Sequence, residues 1–229
     1  MLKSLTLAAI PLLALPCSAA ISIEVQVGTF LDSSSAVVSD TSLWAIVYDE
    51  GGAGLPGGLA NNTSLTLANT SQLFSDFAGA TIATGGTIGT GEILWAGAVN
   101  GVATSGVEGV SIHELSNFTF AGLGVAAGGT WAIYWFPELT AASNTLSSSG
   151  FQVGGIQEVS AGSGGNIGMV FPVDDTGPAN YTASFLDTSP ALGGDIAISR
   201  FTAVTVVPEP SSVGLAMIGM AALLRRRRR

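Results

Sequence analysis

The chain has 229 residues, with 16 acidic residues against seven basic ones and a net charge of −9. Five of the seven bases are the last five residues, so the stretch from Ile21 to Val207 holds fifteen acids and a single base, Arg200, or about −14. A body this acidic repels nucleic acid and anionic lipid, and its 187 residues are enough to bury a core as a single domain.

The first element is a leader. In MLKSLTLAAIPLLALPCSAA, Lys3 gives a positive start and Leu5 to Leu15 an apolar run too short to span a bilayer comfortably. Ser18 and Ala20 put small residues at the −3 and −1 positions. Residues 1–20 therefore predict a signal helix that signal peptidase removes between Ala20 and Ile21. The only cysteine, Cys17, leaves with it, since Pro16 and Ala14 do not make a lipoprotein site. The exported remainder has no cysteine, and its stability has to come from burial without disulfides.

The body, 21–207, reads as strands. ISIEVQV (21–27) alternates Ile21, Ile23, Val25 and Val27 with Ser22, Glu24 and Gln26, the pattern of a half-buried strand. LWAIVYD (43–49), EILWAGAV (92–99) and TWAIYWFP (130–137) are apolar on both faces and predict central strands covered on both sides. Their rings, Trp44, Trp95, Trp131 and Trp135, should be mainly buried between two sheets. Further strands are expected at 80–83, 107–113, 116–120, 151–159, 167–171, 181–186 and 195–206. Gly-rich turns such as ATGG (83–86) and AGSGGN (161–166) separate them at a spacing of about ten residues. SQLFSDFAG (71–79), capped by Ser71 with Leu73, Phe74 and Phe77 on one face, predicts a short helix, and 138–146 is a second helix candidate. The expected class is all-β, a jelly-roll-like β-sandwich ectodomain.

Catalytic chemistry is scarce. His113 is the only histidine and predicts an ordinary strand residue, since zinc would need partners and no G-x-S-x-G is present. Glu108, Glu114, Glu138 and Glu158 are the acids flanked by strand-like or aromatic sequence, yet no spacing selects two of them as a hydrolytic pair. No cofactor is expected. Asp49-Glu50 and Asp174-Asp175 are candidate calcium ligands because each opens a Gly- or Pro-containing loop, but neither has a D-x-D-x-D-G ladder. Asn61, Asn62, Asn69, Asn117 and Asn180 begin N-x-S/T triplets, which matter only in a host that glycosylates asparagine.

The chain closes with three parts, 208–229. Val207-Pro208-Glu209-Pro210 is an extended stop after the last strand. Val213 to Leu224 is apolar, about 18 Å long as a helix against a hydrocarbon core of about 30 Å. Read as a short transmembrane helix, it is a marginal span. Arg225, Arg226, Arg227, Arg228 and Arg229 stop transfer and stay in the cytoplasm, which leaves the body outside. The leader demands the same topology.

Pro208-Glu209-Pro210, a short Gly-containing apolar segment and a terminal arginine cluster, in that order, resemble the PEP-CTERM sorting signal of Gram-negative-type bacteria. The resemblance implies transient anchoring in the inner membrane, recognition of Pro208 to Pro210 by an exosortase, cleavage near that motif, and transfer of the body to the cell surface or an exopolysaccharide matrix such as a biofilm. It implies nothing about the activity of residues 21–207. For these the expectation is a structural or adhesive, non-enzymatic role. The alternatives are a carbohydrate-binding module, which needs coplanar exposed rings, and a secreted hydrolase, which needs two facing carboxylates in one cleft.

Overall fold

A computed structural model of the chain describes residues 20–104, 106, 108–159, 167–173, 179–185 and 201–208. In chain order its elements are β1 (Ile21–Val27), β2 (Phe30–Leu31), β3 (Ser42–Asp49), β4 (Thr63–Ser64), α1 (Thr70–Phe77), β5 (Thr87–Ile88) and β6 (Gly91–Ala98). There follow α2 (Gly101–Thr104), β7 (Ser111–Phe118), α3 (Phe120–Leu123), β8 (Trp131–Thr140), β9 (Phe151–Gln157), β10 (Ala179–Phe185), β11 (Phe201–Thr202) and β12 (Val204–Val206).

The strands form three sheets. A three-stranded sheet has the order β10-β1-β7, with β1 parallel to β10 and antiparallel to β7. A larger sheet runs β12-β9-β8-β3-β6-β5, and β4 joins the same edge of β9 that β12 uses, further along the strand. A short parallel pair, β11-β2, completes the set. The sheets curl as a half-barrel. The β-rich class is thus as expected.

Alternation decides which core each side chain joins. Ile21, Ile23, Val25 and Val27 of β1 pack with Trp44, Ile46, Trp131, Ile133 and Trp135, which all point from one face of the larger sheet. The intervening residues Leu43, Ala45, Val47, Ala132, Tyr134 and Phe136 point to the other face. There Leu73 and Phe77 of α1 cover them, with Leu139 from the end of β8 and Leu55, Leu59, Leu65, Ile82 and Leu146 from the loops. Strands β3 and β8 are therefore buried on both faces, as their doubly apolar sequences require.

Two glycines in β9 make room for the rings of β8. Gly154 pairs with Trp135 and Gly155 with Tyr134. A Cβ on Gly154 would lie 1.9 Å from the Trp135 ring, and one on Gly155 would lie 2.8 Å from Tyr134. Both rings lie across the neighbouring backbone, which only glycine permits at that distance. Trp135 also stacks on Phe30, with centroids 5.0 Å apart, and its Nε1 donates to the Leu31 carbonyl at 3.0 Å. Tyr134 donates its hydroxyl to the Pro56 carbonyl at 2.9 Å.

Several expectations need correction. In place of separate strands at 107–113 and 116–120 there is one strand, β7 (Ser111–Phe118), because the polar Glu114 and Ser116 lie on its outer side and do not end it; residues 108–110 precede it as a turn and Phe120 begins α3. Residues 80–83 and 167–171 make single bridges, Thr81 with Thr145 and Val170 with Thr130, because loops rather than full strands run beside them. In 138–146, β8 continues to Thr140 and then turns through mutual Thr140–Ser143 backbone bonds, so no helix forms there. Residues 195–200 lie outside the described residues. Helix α1 starts at Thr70, one residue earlier than expected, with Leu73 and Phe77 buried and Phe74 half-buried. The leader 1–19 and the expected span 213–224 also lie outside the description, and no helix among the described residues is long and apolar enough to cross a membrane.

Candidate functional site at the C-terminal edge

Strand β12 is the last described element before the tail, and three pairs hold it to β9: Val204 with Val153, Thr205 with Gln152, and Val206 with Phe151. The V-T-V alternation sets its faces. Val206 is fully buried and Val204 packs beside it against the second core, while Thr205 is exposed. Ala203 points the other way, into the first core, and its N–H donates to the Leu31 carbonyl at 2.9 Å. On the outside, Thr205 Oγ1 donates to Ser33 Oγ at 2.7 Å, and Ser33 N donates to Gln152 Oε1 at 2.9 Å. Gln152 in turn donates through Nε2 to Glu138 Oε1 at 3.1 Å.

One residue later the chain is in solvent. Val207 is 57% exposed and Pro208 is exposed too. Proline has no N–H to extend a ladder and holds its predecessor extended, so the sequence itself ends the strand here. Of the expected sorting residues, Pro208 is described; Glu209, Pro210 and Arg225 to Arg229 lie outside the described residues.

The other end of the body is held differently. Ala20 is half-buried and Ile21 fully buried. Ile21 starts β1 with a partner on either side, Ala179 in β10 and Phe118 in β7. A chain cut between Ala20 and Ile21 therefore begins inside a central strand.

The remaining candidates do not converge. Asp49 Oδ1 accepts from Gly54 N at 2.9 Å inside its own loop, Glu50 is exposed, and Asp174 and Asp175 lie outside the described residues. Among the described residues no three His, Cys, Asp or Glu side chains gather into a metal-binding group. Glu108, Glu114, Glu138 and Glu158 are all exposed. Glu114 faces Glu24 directly across the β7–β1 ladder. This is a carboxylate pair that sequence spacing could not reveal, because 90 residues separate the two on a chain whose strand register is unknown in advance. It sits on the outer, polar side of the three-stranded sheet, opposite the buried Ile23 and Val25.

His113 is half-buried and stacks on Trp95, with centroids 3.8 Å apart and planes 21° apart. Burial pushes its imidazole below the ordinary value near 6.5, partly opposed by the charge of Glu114. Trp95 is half-buried, whereas Trp44, Trp131 and Trp135 are fully buried as expected. The reason is a bulge. Ile46 pairs with Trp95 but Val47 pairs with Ile93, so Leu94 is an extra residue in β6. Ile93 then joins the second core while Leu94 and Trp95 both turn to the first. Trp95 meets the open rim there, lying flat across Gly97 and against His113. The two rings at this rim, one indole and one imidazole, both half-buried, are stacked face to face and do not lie side by side in one plane.

Comparison with known families gives one match: the family model of the PEP-CTERM protein-sorting motif, over residues 206–229. No curated protein and no solved structure matches the chain. The matched segment starts at Val206, the last buried residue of β12, so the sorting motif abuts the folded edge with only Val207 between. A motif of this kind supports an exported protein that an exosortase sorts.

Proposed function

We propose that the chain is an exported, non-catalytic surface or extracellular-matrix protein with a structural or adhesive body. The body is a β-sandwich-like ectodomain that requires no cofactor. Signal peptidase removes residues 1–20. Residues 213–224 and the arginines hold the precursor in the inner membrane, and an exosortase cuts near Pro208-Glu209-Pro210 and passes the body to the surface or an exopolysaccharide matrix. The observation that carries this reading is the motif match over 206–229, placed directly after the last buried strand residue. An acidic body of about −14 supports the same reading, because it stays soluble and does not adhere to anionic lipid while tethered beside it.

Intact mass of the protein from its native host, fraction by fraction, tests this. The expected species starts near Ile21, ends near Pro208 to Pro210 and is found in the surface or matrix fraction. A membrane species that keeps Arg225 to Arg229 would make the tail a permanent anchor and overturn the sorting step. Neutral residues in place of all five arginines should change membrane retention and leave the body's β circular dichroism as it is.

A further inference from the structure

The cut that the sorting reading requires lies very near the folded edge. Enzymes that cleave peptide bonds hold the chain extended over several residues on each side, with main-chain hydrogen bonds like those of an added strand. The residues just upstream of Pro208 are Val204 to Val207. Three of them are β12, already hydrogen-bonded to β9. Val206 is fully buried and Thr205, though its side chain is exposed, is held in the ladder, so among the described residues Val207 and Pro208 are the ones that lie beyond β12 in solvent.

We propose that β12 is a releasable strand: cleavage at the motif requires Val204 to Val206 to leave the edge of β9 and enter the processing enzyme's cleft. This rests on the sorting reading above. The strand is built for release. It is an edge strand with three ladder pairs to β9. Its outward Thr205 is tied by an exposed hydroxyl bond to Ser33. When it leaves, β4 still covers the far half of the same β9 edge, through Thr63–Gln157 and Ser64–Ile156. Edges of this kind open at lower free energy than the strands behind them, and cleavage then follows the population of the open form. In the cut itself the scissile C–N bond breaks, the amine leaves with the downstream fragment, and water or an amine nucleophile takes the acyl carbon.

The full-length protein in its host provides the test. Thr205 and Gln152 are directly opposed, at a spacing a disulfide spans, and the exported compartment allows one to form. Thr205→Cys with Gln152→Cys should lock β12, and uncleaved chain should accumulate, with cleavage slowed about tenfold or more against wild type and both single variants. A thiol reductant in the medium should restore cleavage. A linker of about six Gly and Ser residues between Val207 and Pro208 should restore it with the disulfide intact, and alone should speed cleavage of the otherwise unaltered chain. Cleavage of the disulfide-bonded chain at the wild-type rate overturns the release step, as does a linker that changes neither rate. A wild-type chain that is never cut sinks the sorting reading instead, and this proposal with it.

Discussion

The two ends of the body are built in opposite ways. At one end β1 lies between two partners and buries Ile21, Ile23, Val25 and Val27. At the other, β12 leans on the rim of the larger sheet and buries Val206 as its last residue before solvent. On the processing proposed above, both ends border a segment that is cut away. Because β1 begins at the residue that directly follows the expected leader, the proposed processing places leader removal before β1 docks between its two partners. An edge strand can form, open and close on a finished body, so tail removal can come last. Under that proposal, strand position orders the two processing events.

The largest expected effect tests the central end. Ile23→Ala should cost about 2–5 kcal/mol of global stability, read from chemical denaturation, because the cavity opens between the two sheets. Gly154→Ala should follow at about 1–3 kcal/mol, since the new methyl group meets the buried Trp135 ring and pushes β9 from β8. It should also loosen β12, which depends on β9 for its pairs. Val206→Ala should cost about 1–2 kcal/mol, and hydrogen exchange should show the loss at β12 before the rest of the sheet. If Val206→Ala destabilised the whole body as much as Ile23→Ala does, the contrast between the ends would break.

The smallest effect is a pH dependence. His113, the only histidine, has its folded pKa below its ordinary value, so the unfolded chain binds the proton first as pH falls. Its contribution is complete above about pH 6.5 and is lost as pH drops below that toward the folded value. Thermal melts should fall over this window in the wild type and flatten in His113→Gln. His113 sits on β7, the flank of β1, so β12 exchange should not follow it.

Much of the fold was legible where alternation was clean. Ile21 to Val27 gave its faces directly, and the doubly apolar runs at 43–49 and 130–137 gave the covered centre. What stayed hidden depended on pairs far apart in the chain. The Leu94 bulge exists only relative to β3, and without it strict alternation would send Trp95 to the same side as Ile93. The parallel β1–β10 pairing and the Glu24–Glu114 facing pair are also properties of register. Gly154 and Gly155 look like turn residues in the sequence and turn out to be clearance for Trp135 and Tyr134. At the C-terminal edge, Pro208 and its neighbours were legible as a sorting motif, but not that Val206, one residue before Val207, is core.

The Trp95–His113 stack also makes the molecule its own optical gauge. Trp44 and Trp131 are fully buried, and their Nε1 atoms have no hydrogen-bond partner among the described residues, so their emission should be blue and shielded from dissolved quenchers. Trp95 is the half-buried indole of the four, and it lies face to face with the one imidazole. A protonated imidazole quenches an indole it touches. Mild acid should therefore dim the emission of Trp95 while the blue glow of the core persists, reporting the state of the rim from inside an intact fold.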